Sequence, residues 1–308
     1  MPTLQSNGIT IAYQTAGDPK AAPVLLVPGL GMQLSGWPEA FVDGLVELGF
    51  FVIRFDNRDC GLSTKFDEAG RPGLAFTFFR SVLRWPRRSA YTLADMADDA
   101  LGVLSALGVG KAHLVGASMG GVIAQALAAQ HPGRVLSLTC IGTGGGRRGL
   151  AGASREARAL LVRRPRNAQD LERQVEQMAT TLRAIGSPAY PTPDKLLRQR
   201  VLQAIRRNVC AGGVERQLAA LAAAGERGAE LKAIRAPTLL IHGAADPLVP
   251  LACGADGARA IPGARLEVIE GMGHDLPAQL VERLLALIDA HAHGNMTLHS
   301  PSRLFEKQ

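Results

Sequence analysis

The chain has 308 residues, of which 47% are hydrophobic and 20% charged, with a mean hydropathy of +0.09. That composition supports a sizeable buried core and excludes an intrinsically disordered chain or a membrane-embedded one. The formal net charge is +7, but much of it is arginine between Arg147 and Arg235, which reads as exposed faces of amphipathic helices and not as a nucleic-acid or membrane surface.

Residues 1–8 carry neither a basic n-region nor an apolar h-region, and no later apolar run reaches transmembrane length, so the expectation is a cytoplasmic protein without stable membrane insertion. Residues 9–15 alternate apolar and polar side chains, and residues 23–28 form a short apolar run closed by Pro28-Gly29; both predict strands, the second fully buried. Helical spacing over 37–48 and the apolar run 50–55 complete a β-α-β unit, which ends in the polar loop Asp56-Asn57-Arg58-Asp59-Cys60-Gly61. Residues 66–88 are punctuated by Gly and Pro and rich in aromatics; Phe76, Phe78, Phe79 and Trp85 are candidates for a pocket entrance or for the core, and both readings stay open. Thr92, with Asp95 at the capping-box position, predicts the start of a helix that ends at Gly108. A strand at 112–116, a helix at 119–130 and a strand at 135–141 continue the alternation, which implies a mostly parallel sheet with right-handed crossovers.

The alternation breaks at Gly144-Gly145-Gly146. Residues beyond it are rich in Ala, Leu, Arg and Gln at helical spacing, interrupted at Pro165, Gly186-Ser187-Pro188 and Gly212-Gly213, which predicts three or four helices. Strands resume at 238–242 and 266–269. The implied organisation is an α/β core formed by 1–143 and 236–292, a helical cap over 144–235 and a loose tail over 293–308. Cys60, Cys140, Cys210 and Cys253 show no metal-ligand spacing and read as free thiols, and His291, His293 and His299 read as ordinary residues of the chain's end.

Three polar residues carry the chemical signal. Gly116-Ala117-Ser118-Met119-Gly120 lies between a buried strand and a helix, so Ser118 stands on a tight strand-to-helix turn above the sheet edge, with small residues relieving the crowding. A serine hydroxyl is a poor nucleophile near neutral pH and needs a base with a carboxylate to orient it. Asp246, in the loop after 238–242, and His274, in Gly271-Met272-Gly273-His274 after 266–269, both follow parallel strands and therefore reach the same edge. The chain order Ser118, Asp246, His274 is that of one serine-hydrolase architecture and not of the chymotrypsin or subtilisin arrangements. An oxyanion needs two donors: the Met119 N–H at the helix start and the Leu30 N–H of Pro28-Gly29-Leu30-Gly31-Met32 are the candidates.

These motifs, with Gly36-Trp37-Pro38 and the run from Val52 through Asp56-Asn57-Arg58-Asp59-Cys60-Gly61-Leu62-Ser63, resemble those of α/β-hydrolase fold esterases of the aclacinomycin methylesterase type. The resemblance covers nearly the whole chain, through the last helix. Pro28 stands where many members carry the histidine of a His-Gly pair, a change that leaves backbone donors intact. The Asp56 to Ser63 run reads as structural, ordering a loop by side-chain hydrogen bonds; Asp56 as an alternative acid is the weaker reading.

The expectation is a serine carboxylesterase that hydrolyses small or medium hydrophobic carboxylic esters through an acyl-serine intermediate, with no metal or organic cofactor required. Met32 and Trp37, beside the oxyanion loop, are candidate substrate contacts. The same triad would serve a cofactor-independent perhydrolase, a lactonase or a proline iminopeptidase, and a ligand-binding protein that keeps the fold without catalysis is the reading from another class.

Overall fold

The computed structural model describes residues 1–72, 89–147, 149–161 and 170–295. Phe76, Phe78, Phe79, Trp85, Pro165 and His299 lie outside the described residues.

Period-two alternation builds the core. In β3 (Ala22–Val27), Leu25 and Val27 enter one apolar cluster while Val24 and Leu26 enter another. β4 (Phe50–Phe55), β5 (Ala112–Ala117), β6 (Val135–Ile141) and β7 (Thr238–Gly243) are likewise buried on both sides, as a parallel sheet covered on two faces requires. With β1 (Thr3–Ser6), β2 (Ile9–Ala16) and β8 (Arg265–Ile269), they form one eight-stranded sheet in the order β1-β2-β4-β3-β5-β6-β7-β8. The β1–β2 and β2–β4 pairs are antiparallel and the rest parallel.

One face packs on α2 (Leu93–Ala106) and α3 (Met119–Gln130), through Met96, Val103, Ile123 and Leu127. The other packs on α1 (Glu39–Glu47) through Phe41 and Leu45, and on the last helix through Leu284 and Ile288. The expected capping box is present at α2: Thr92 Oγ1 accepts from the Asp95 N–H at 3.1 Å and Asp95 Oδ2 accepts from the Thr92 N–H at 2.7 Å.

Between β6 and β7, the described residues contain five helices where three or four were expected: α4 (Arg155–Leu161), α5 (Leu171–Ile185), α6 (Asp194–Arg207), α7 (Ala211–Ala223) and α8 (Gly228–Lys232). Gly212-Gly213 does not interrupt the helices as expected; it forms the first turn of α7. A Cβ on Gly213 would collide with the Asp59 carbonyl oxygen, so this glycine allows close packing of a helix start on a loop. β1 was not expected, because four residues are too few for a periodicity to register; it is held by its pairing with β2 and by Ser6 Oγ, which donates to the Asp99 carbonyl at 2.8 Å. α9 (Leu251–Ala260) and α10 (Val281–Ala292) complete the helices among the described residues, none of which is long and apolar enough to cross a membrane.

Candidate active site

Ser118 sits at the end of β5 with φ 53° and ψ −119°, a region that non-glycine residues rarely occupy. The motif's glycines explain why the turn can exist. A Cβ on Gly116 would strike the backbone of Gly120, and one on Gly120 would strike the Val27 carbonyl oxygen. Hydrogen bonds then hold the turn: the Ser118 N–H donates to the Ile141 carbonyl at 2.8 Å, and Thr143 Oγ1 donates to the Ser118 carbonyl at 3.0 Å. The Ser118 hydroxyl makes no capping bond to α3 and instead lies 2.9 Å from His274 Nε2.

The other ring nitrogen, His274 Nδ1, lies 2.6 Å from Asp246 Oδ2. Asp246 Oδ1 is already occupied, accepting from the Leu248 and Val249 N–H groups at 2.8 Å each. The loop bonds thus aim Oδ2 at Nδ1–H, which leaves the Nε2 lone pair for the serine hydroxyl. Gly142, with φ 59°, lies beneath the ring; a Cβ there would stand 3.3 Å from His274 Nδ1. Asp56, the weaker acid candidate, is engaged elsewhere: it accepts from the Leu34 and Leu62 N–H groups and from Arg207, which is the loop-ordering role.

The Pro28–Met32 loop lies against this turn. A Cβ on Gly29 would stand 3.1 Å from the Ala117 oxygen and 3.4 Å from Ser118 Cβ. Neither the Leu30 nor the Met119 N–H donates to an acceptor of the described chain. Met119 is the first residue of α3, where a helix has no internal acceptor for its amide. Of the two proposed substrate contacts, Met32 is partly buried against the apolar cluster that contains Trp37, whereas Trp37 is 1% exposed and stacks on Phe41 with ring centroids 5.6 Å apart. Trp37 is thus part of the core on the α1 side.

Several supporting groups gave no signal in the sequence. The His274 N–H donates to the Ile185 carbonyl at the end of α5 at 2.7 Å, and Ser187 Oγ accepts from the Gly273 N–H and donates to Asp275. Burial raises the Asp275 carboxyl above the ordinary range despite the Ser187 hydrogen bonds. His242 lies under Asp246, its Nε2 2.7 Å from the Val249 carbonyl, and burial lowers its pKa, so that a neutral ring donates there. The contacts of Ile185 and Ser187 with 273–275 join segments remote in sequence and leave no local pattern. Of the histidines near the chain's end, His291 Nε2 faces the Leu138 and Pro237 carbonyls and His293 lies against Asp289.

The fold, and a strand-edge serine beside a histidine and an aspartate, define a hydrolase class. The chain belongs to the alpha/beta hydrolase fold family, whose match spans residues 22–278. It is an esterase-like member: it is 32% identical to the rhodomycin D methylesterases of Streptomyces sp. (strain C5) and Streptomyces peucetius, over 96% of this chain and 99% of each of theirs. Among solved structures, a meta-cleavage product hydrolase from Pseudomonas fluorescens IP01 shares the fold with a TM-score of 0.74 at 21% identity, over 96% of this chain and 98% of that one.

Proposed function

We propose that the protein is a serine carboxylesterase that cleaves small or medium hydrophobic carboxylic esters through an acyl-enzyme on Ser118, with residues 144–235 acting as a cap over the site. The observation that carries this reading is the relay of 2.9 Å from Ser118 Oγ to His274 Nε2 and 2.6 Å from His274 Nδ1 to Asp246 Oδ2. His274 accepts the serine proton as Oγ attacks the ester carbonyl; Asp246 stabilises the imidazolium; and the N–H groups of Leu30 and Met119 receive the oxyanion. Collapse expels the alcohol, which takes the proton from His274. Water, deprotonated by the same nitrogen, then releases the acid and restores Ser118.

The similarity to rhodomycin D methylesterases favours a methyl ester, with methanol as the leaving group. Hydrolysis of p-nitrophenyl esters of increasing acyl length, and of methyl esters, by wild type and Ser118→Ala tests the proposal. Ser118-dependent turnover supports it. Turnover unchanged by Ser118→Ala overturns it, and failure of a fluorophosphonate to label Ser118 points to a binding protein that keeps the fold. Turnover of a lactone or an N-terminal prolyl peptide in preference to open-chain esters would move the substrate class and leave the nucleophile in place.

A further inference from the structure

We propose that Gln217, on α7, is a positioning residue that fixes the turn presenting the Leu30 N–H to the reacting carbonyl. The inference rests on the reading above, in which Ser118 is the nucleophile and Leu30 an oxyanion donor.

Residues 29–32 form a tight turn: the Met32 N–H donates to the Gly29 carbonyl at 3.2 Å, and Gly31, the third residue, has φ 64°. Positive φ at that place marks the turn type that differs from the commoner one by a half-rotation of its central peptide. Here that peptide joins Leu30 to Gly31. Its N–H donates to Gln217 Oε1 at 2.9 Å. In the rotated form it would turn the Leu30 carbonyl toward Oε1, setting acceptor against acceptor, so the side chain selects one of the two turns.

The Gln217 amide cannot adapt by flipping. Its Nε2 donates to the Arg58 carbonyl at 2.8 Å, and with a donor at one end and an acceptor at the other only one orientation satisfies both. The side chain is fully buried, where an unmade bond would carry its full desolvation cost. Val214, one turn earlier on α7, closes the other side of the glycine: a Cβ on Gly31 would lie 2.9 Å from Val214 Cγ2. α7 is itself fixed, since Gly213 meets the Asp59 backbone and Arg216 forks onto the Asp59 carboxylate. Because Gly29 rests on Ala117 and Ser118, a small displacement of the turn moves the Leu30 amide relative to the serine. Misplacement of a reacting group by about 1 Å costs about 100-fold in rate.

The test compares wild type, Gln217→Leu, Gln217→Glu, Gly31→Ala and Ser118→Ala on p-nitrophenyl esters, together with inhibition by an aryl trifluoromethyl ketone, whose serine adduct carries an oxyanion. Gln217→Leu keeps the volume and loses both hydrogen bonds. It lowers kcat about 10- to 100-fold, leaves KM within about twofold and weakens the ketone in proportion to kcat/KM. Gln217→Glu retains the acceptor for Gly31. Its introduced carboxyl also donates to Arg58 when protonated, so its deficit relative to wild type shrinks as pH falls. Gly31→Ala repeats the Gln217→Leu pattern and serves in its place should that variant fail to fold.

Wild-type kcat and ketone affinity in Gln217→Leu would overturn the inference. So would a loss confined to KM or to thermal stability, the mark of a merely structural contact. Ser118→Ala separates the two levels: full turnover in that variant removes the underlying reading, whereas an inactive Ser118→Ala beside a fully active Gln217→Leu removes only the role of Gln217.

Discussion

Arg216 and Asp59 form a two-pronged ion pair across the boundary between α7 and the loop after β4. Nε donates to Oδ2 at 2.8 Å and Nη2 to Oδ1 at 2.7 Å, with side chains 2% and 0% exposed. Tyr91 Oη and the Phe66 N–H also donate to this carboxylate. Burial by itself would raise the Asp59 carboxyl, and these donors outweigh it and hold it below its ordinary value. Arg216→Ala leaves a charge buried without its cation, and we expect a loss of about 3–5 kcal/mol in urea unfolding. The double variant Arg216→Met/Asp59→Asn, which removes both charges, recovers most of it. A single-variant loss under about 1 kcal/mol would place the pair among weak surface bridges and remove the anchor of α7.

The pH dependence of stability has a separate source beneath the opposite end of the sheet. His113, on β5, has Nδ1 2.8 Å from Ser137 Oγ and packs edge-on to Phe50, with ring centroids 5.8 Å apart. Burial, and then the neighbouring charges of His293 and His291, lower its pKa from 6.5 to about 4. The folded state resists a proton that the unfolded chain accepts, so the neutral-ring stability is complete above pH 6.5 and is lost as pH falls toward 4. Urea midpoints at pH 7, 5.5 and 4.5 should therefore fall, and His113→Asn should flatten the decline. His242 and His291, also lowered by burial, leave a residual slope. An identical decline in wild type and His113→Asn would show that His113 is not the group responsible.

Asp246→Asn tests the orienting carboxylate without altering the shape of its loop. An amide oxygen in place of Oδ1 can still accept from Leu248 and Val249, which turns an NH2 toward His274 and demands the tautomer with its lone pair on Nδ1. Nε2 would then carry the hydrogen and could not receive the serine proton. The expected result is a fall in kcat of about 10,000-fold with a nearly unchanged melting temperature. Activity within tenfold of wild type would move the acid role away from Asp246.

The elements that read from the sequence are those whose signals are local. The β3 run is apolar throughout and the β5 and β7 runs are mostly so because both faces are covered; Thr92 and Asp95 mark the α2 start within four residues; and the glycines around Ser118 are dictated by the turn itself. Ser118, Asp246 and His274 were legible as candidates because each follows a strand whose direction sends its carboxyl end to one edge. The supports of the site were not. Gln217, Ser187 and Ile185 act on Gly31, Gly273 and His274 across 186, 86 and 89 positions, and nothing in a window of residues encodes such a contact. The burial of Trp37 was not legible for a related reason: its nearness in sequence to the 28–32 loop says nothing of the core in which its ring is buried.

Gly213 offers the sharpest contrast between a local rule and a tertiary one. By helix propensity alone, Gly→Ala in the first turn of α7 should stabilise by up to about 1 kcal/mol. In the fold, the added methyl meets the Asp59 carbonyl oxygen and also lies 2.8 Å from Asp59 Cβ, and Asp59, with φ 65°, sits in a strained conformation that has little room to shift. α7 would have to move away, stretching the Arg216 fork and the Gln217 bond to Gly31 together. Gly213→Ala is therefore expected to lower the urea midpoint and kcat at once, whereas Gly228→Ala, at the start of α8 with open space around its Cβ, lowers neither. Stabilisation by Gly213→Ala would mean that the close approach of α7 to the loop is not what holds the helix in place.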